Sequence, residues 1–186
     1  IDRLMAAQRP DSDLSRLNRD GARGPVTVDR RLIEVLEASI ALSRLTDGAF
    51  DVTVLPVVRA WGFIDGMPHR PAVTPPRPAG VGAIRIDTEA ATVRFTDAAA
   101  QVDLGAIAKG YALDRARDIL RAHGVGSAWL DLGGQIATLG APPDGPRWRI
   151  AVRHPRRPEA RLGVVEMGEA SLSTSGDTEQ VLALPD

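Results

Sequence analysis

The chain has 186 residues, 44% of them hydrophobic and 25% charged, with a formal net charge of −1. That size supports one sizeable core or two small lobes sharing one, and the charge balance points to neither nucleic acid nor a membrane surface as a partner. Cysteine is absent, which excludes a disulfide scaffold, a thiolate metal site and a cysteine nucleophile, and no apolar run approaches the ~20 residues that cross a bilayer.

Taken in chain order, Ile1 to Gln8 reads as helix, and "RPDSDLSRLN" comes next with capping and turn signals. Ser12 or Asp13 is suited to cap a short turn that ends near Asn18. "VTVDRRLIEVLEASIALSRLTDG" predicts the clearest helix. Asp29 is its N-cap, Leu32, Val35, Leu36, Ile40 and Leu42 its apolar stripe, and Gly48 its end. "AFDVTVLPVVRAWGF" alternates as an extended or short-helical segment. Between Ile64 and Val81 lie five of the 14 prolines, which predicts a surface loop.

"AIRID" and "TVRFT" then predict a hairpin around "TEAA", with "AQVDL" after it as a strand and a helix from about Ala106 to "AHGVG". The last third reads as strands in succession: "SAWLDL", "QIATLG", "RWRIAVR", "RLGVVEM" and "EASLSTSG". Strands in succession without intervening helices predict an α+β fold, with antiparallel-rich sheets and packed helices. "RHPRRPEAR", the only dense basic cluster, is read as a solvated hairpin loop.

Chemistry has four candidate places. In "VDLGAIAKGYALDRARDIL" a strand delivers Asp103 and a glycine to the start of a helix, whose first turn favours an anion such as phosphate. Lys109, the only lysine, sits about one turn inside. Asp103 either accepts hydrogen bonds from a ligand hydroxyl or ring N–H, or simply caps the helix. The Gly105–Gly110 spacing lacks the GK[ST] ending of a P-loop. "TDGAFDVTVLP" offers Phe50 and Asp51 either to a flat, hydroxylated ligand or to a helix cap and a core. "STSG" and "DLGGQ" are turns that either meet a ligand or satisfy themselves. His69, His123 and His154 have no metal-ligand spacing.

In this order, "RPDSDLSRLN", "TDGAFDVTVLPVVRAWGF", "VDLGAIAKGYALDRA", "SAWLDLGGQIATLG", "WRIAVRHP" and "SLSTSG" resemble the ApbE family along nearly the whole chain. Those proteins are Mg²⁺-dependent FAD:protein FMN transferases, and some members mainly bind or hydrolyse FAD. The resemblance implies a single ApbE-like, T-fold-like domain over residues 1–186. Its N-terminal strand would precede Ile1, and its His motif and metal-completing Asp/Thr motif would come after Asp186.

The resemblance further implies that Ala49, Phe50 and Asp51 line an FAD site, and that Asp103, Lys109 and, more weakly, Ser175 contact FAD. The Ala106 carbonyl would ligate Mg²⁺, a hard cation that prefers oxygen. FAD would be the substrate, and a threonine or serine of an acceptor protein would receive FMN. No nucleic acid is implied, and membrane association would need a segment ahead of Ile1. Gln8 stands where relatives usually carry an aromatic that stacks on the flavin.

Overall fold

Why the first hundred residues condense is clearest at α3, Arg30–Leu45. In the computed structural model, which describes residues 1–64, 68–157 and 159–176, Asp29 caps this helix by accepting from the Arg31 N–H. Leu32, Val35 and Leu36 are buried as the spacing predicts. Leu42 departs from that expectation and is 38% exposed, while Ser39 and Ser43 take the buried face. Ser39 tolerates burial because its hydroxyl donates to the Val35 carbonyl at 2.7 Å.

Ahead of it lie α1, Asp2–Met5, and α2, Asp13–Asp20. Ser12 caps α2 and also donates to the Ala6 carbonyl at 2.8 Å, so "RPDS" is a structural cap. The helix runs two residues beyond the expected end at Asn18. The hairpin of β2, Ile84–Asp87, and β3, Thr92–Phe95, forms as predicted. On its other edge β3 also pairs antiparallel with β1, Val26–Thr27, a strand too short to carry a sequence signal. Between α3 and the hairpin, Val52–Val54 make a 3₁₀ turn and Leu55–Ala60 make α4.

The described residues of 68–80 form no helix or strand, as the prolines predict. "AQVDL" is a correction: these residues form no strand, because Asn18 and Val52 take up the backbone groups that a sheet would have used. Helix α5, Ala108–Ala122, starts two residues later than expected, after a turn over 105–107.

By contacts, Ile1–Ala108 make one compact unit and a second begins at Lys109. In the second, β4 (Ala128–Leu132), β5 (Gln135–Leu139) and β8 (Ser171–Ser173) form an antiparallel sheet in the order β4–β5–β8. Strands β6 (Trp148–Arg153) and β7 (Arg161–Met167) form a two-stranded ladder, with "HPRRPEA" in the connection. Ile136, Ile150 and Met167 are the centre of this unit's core, with Trp148, Ala170 and Leu172 packed on them. Mixed helices and antiparallel sheets give the α+β class expected. Among the described residues, no helix is long and apolar enough to cross a membrane.

Candidate functional site

The two stretches richest in candidate ligand groups, 46–56 and 102–110, meet through the backbone of the first unit. Thr46 ends α3 and ties down the next turn. Its hydroxyl donates to the Leu42 carbonyl at 2.8 Å and accepts from the Phe50 N–H at 3.0 Å. Asp47 and Gly48 reverse the chain with φ of 51° and 80°, and Ala49 is left exposed beside a half-buried Phe50.

Asp51 is extended, and its Oδ1 accepts from both the Thr53 N–H and the Thr53 hydroxyl, each at 2.8 Å. Fully buried Thr53 in turn accepts from the Gly80 N–H at 2.8 Å. One carboxylate oxygen of Asp51 therefore caps the 3₁₀ turn and, through Thr53, holds the end of the proline-rich loop.

The second stretch is anchored on both sides. Asn18 clamps Val102, donating to its carbonyl at 2.8 Å and accepting from its N–H at 2.7 Å. The next N–H, of Asp103, donates to the Val52 carbonyl at 2.8 Å. This places Asp103 beside the residues just past Phe50 and Asp51. Asp103 is half-buried, and its Oδ1 accepts from the Gly105 N–H at 3.1 Å. Asp103 does not cap α5, which begins five residues later at Ala108; one oxygen of its carboxylate instead closes the turn that leads toward the helix.

Ala106 is exposed in that turn, where the Ile107 and Ala108 N–H groups both donate to the Leu104 carbonyl. Magnesium takes six oxygen ligands in near-octahedral geometry. Among the described residues, no group of three or more His, Cys, Asp or Glu is placed to hold a metal ion. The Ala106 carbonyl and the described side chains do not by themselves fit a Mg²⁺ site.

Lys109 and Ser175 belong to the second unit. Lys109 is exposed at the second position of α5, and the Tyr111 ring nearby lies under the Arg115 guanidinium at 5.5 Å. Gly133 and Gly134, with φ of 58° and 81°, form the two-residue turn between β4 and β5. Because Gln135 pairs with Ser173, the "STSG" segment leaves β8 at the end of the sheet where "DLGG" turns. The structure therefore brings those two motifs together, with Ser175 exposed.

Charges outside these segments are tuned by their neighbours. The Arg31 guanidinium and N–H hold Asp29 down at about 2. Arg9 lowers Asp11 within "RPDS", and the Gly140 N–H and Arg121 lower Glu169.

Sequence reasoning singles out neither Asn18 as a clamp nor Thr53 and Thr138 as buried hubs. Thr138, fully buried, donates to the Gly168 carbonyl and accepts from the Ala170 N–H. A polar residue inside an otherwise apolar run, as in "DVTVL" and "QIATL", is the signal that marks the two threonines.

Similarity to known proteins extends along nearly the whole chain. The ApbE family model matches residues 1–184. An FAD:protein FMN transferase of Vibrio cholerae is 36% identical over 191 residues, covering 95% of this chain and 57% of the relative. One of Haemophilus influenzae is 35% identical over 193 residues, covering 95% and 54%. This chain thus spans a little over half the length of those relatives. Among solved structures, the ApbE protein of Thermotoga maritima superposes with a TM-score of 0.83 at 27% identity, over 98% of this chain and 60% of that one. The flavin transferase ApbE of Vibrio cholerae does so with 0.80 at 33% identity, over 98% and 61%. By both sequence and fold, the chain belongs to the ApbE family.

Proposed function

We propose that this chain carries the flavin-binding part of an FAD:protein FMN transferase. Ala49, Phe50, Asp51 and Asp103 would receive FAD, with Phe50 against the ring system and Asp103 accepting from ligand hydroxyl or ring N–H groups. Lys109 would face the pyrophosphate, and Ser175 would add a further polar contact. The observation that carries this reading is the 2.8 Å hydrogen bond from the Asp103 N–H to the Val52 carbonyl. It joins the two motif segments at the residues assigned to one ligand, and the relatives matched over them are flavin transferases.

In the reaction, an acceptor serine or threonine oxygen attacks the FMN-side phosphorus of FAD. The bond from that phosphorus to the bridging oxygen breaks, and AMP leaves with that oxygen. The acceptor hydroxyl gives up its proton to solvent, and FMN ends joined to the acceptor protein through a phosphodiester. Water in place of the hydroxyl would yield free FMN and AMP. The chain's own contribution is to bind and orient FAD so that this phosphorus lies open to attack. Mg²⁺ dependence is part of the proposal, with Ala106 supplying one carbonyl oxygen of the ligand set.

A second reading, an FAD-binding protein without transfer, draws on Gln8 in the place of a stacking aromatic. Titration of the chain with FAD, once in Mg²⁺ and once in EDTA, with an assay for AMP, separates the two. Mg²⁺-dependent binding with AMP release supports the transferase or the hydrolase, and covalent FMN on an added acceptor identifies the transferase. Binding indifferent to Mg²⁺ and without AMP supports the binder. No binding in either buffer defeats the flavin assignment for this chain.

A further inference from the structure

Helix α3 buries one face and leaves the opposite one uncovered by the other described residues of its unit. There Glu37, Ile40, Ala41 and Arg44, with Ile86 of β2, line a shallow groove. Leu45, next along the same side, is 81% exposed. Arginines ahead of α3 and in its first turn are engaged: Arg16, Arg19, Arg23 and Arg31 each pair with a nearby aspartate. Glu37 and Arg44 differ, since neither side chain has a hydrogen bond or ion pair with any described residue. Two opposite charges of this kind, one at each end of an apolar strip, are arranged for a partner that carries the reverse order.

The chain itself has that reverse order when α3 is read antiparallel. Residues 37 and 44 are symmetric about a point between 40 and 41, so a two-fold axis through that point sets each Glu37 opposite the Arg44 of a second copy. The same axis sets Ile40 against Ala41, and the small alanine permits close approach of the two helices. A two-fold interface must be self-complementary in this way, each patch meeting its own copy. We propose that the Glu37–Arg44 face of α3 is a homodimer interface, with two copies of α3 packed antiparallel. This inference is independent of the flavin reading, because none of its residues is assigned to the ligand.

Sedimentation velocity on the whole chain, over a range of concentrations, tests it. The expected result is a reversible dimer. Glu37→Arg and Arg44→Glu should each weaken it about tenfold or more, since both symmetric pairs become like-charged. An equimolar mixture of the two variants should regain the wild-type affinity as a heterodimer, because each reversed charge then meets its opposite. A fault in folding would not be repaired by mixing.

A wild-type chain that stays monomeric throughout the range overturns the proposal. So does a dimer insensitive to both reversals, or a mixture that remains monomeric while each variant keeps its helical circular dichroism. If either reversal unfolds the chain, Ala41→Glu on the exposed side of the helix takes its place. Loss of the dimer then supports the interface, and an undisturbed dimer overturns it.

Discussion

Asn18 supplies both a donor and an acceptor to Val102, a residue with no solvent exposure. Asn18→Ala would leave the N–H and carbonyl of Val102 buried without partners, a cost of about 2–3 kcal/mol in unfolding free energy. Because Asp103 is the next residue, FAD affinity should fall as well, although Asn18 is assigned no contact with the ligand. Denaturant unfolding and flavin titration of the same variant would show both losses, and intact affinity would detach Asp103 from the flavin site. Lys109 makes the opposite prediction. It is exposed, so Lys109→Ala should leave stability within about 0.5 kcal/mol and weaken FAD more than riboflavin. Equal losses for the two ligands would remove its role at the phosphates.

At the scale of elements, the start of α3 depends on one carboxylate. Asp29 accepts from the Arg31 N–H at 2.9 Å, and its own N–H is held by Asp13 at 2.7 Å. Its pKa in the folded chain, about 2, lies below that of an unfolded aspartate. The cap therefore contributes in full above about pH 4 and is lost as pH falls toward 2. Asp29→Ala should cost about 1 kcal/mol at neutral pH, and the gap from wild type should close across that acid window. Thermal melts at stepped pH would reveal a gap that fails to close. In the second unit, Gly140 ends β5 at a φ of 58°, where an added Cβ would collide with the Gly126 carbonyl oxygen. Gly140→Ala should destabilise by roughly 2 kcal/mol or more, and a neutral melt would contradict that close approach.

Much of this is legible in the sequence, for reasons that are local. Hairpins such as β4–β5 carry their signal in adjacent residues, the "GG" turn between two short apolar-rich runs. The Asp29 cap likewise announces itself a few residues from the helix that it starts. "AQVDL" misleads because its hydrogen-bond partners sit far off in sequence, Asn18 at a separation of 84 residues. The apolar stripe of α3 extends to Leu42 on spacing alone, because nothing local shows that two serines occupy the buried face. For the candidate site, residue types in the two motifs and their family resemblance give the ligand assignments. The Val52–Asp103 contact that unites those motifs is long-range and emerges only from the fold.

For the molecule as a whole, the assignments converge on one thermodynamic expectation. A ligand that binds only the folded chain stabilises it by about 2.7 kcal/mol when present at roughly a hundred times its Kd. FAD should therefore raise the melting temperature in a concentration-dependent way, and riboflavin, without the pyrophosphate, should do so less. A melt indifferent to FAD at saturating concentration would oppose the flavin proposal without touching the dimer proposal.

The clamp between Asn18 and Val102 also bears on how the protein is made. Synthesis runs from the N-terminus, so α2 and α3 emerge with their apolar faces bare, and Asn18 of α2 waits 84 residues for the segment that it grips. Until Val102 and Leu104, both completely buried in the finished protein, have been translated, that core is missing part of its filling. That stretch is also the one that sets Asp103 in place. A nascent chain arrested before it would present sticky helices without Asp103, and one arrested just beyond it would have the material for that part of the core and for the Asp103 contact with Val52.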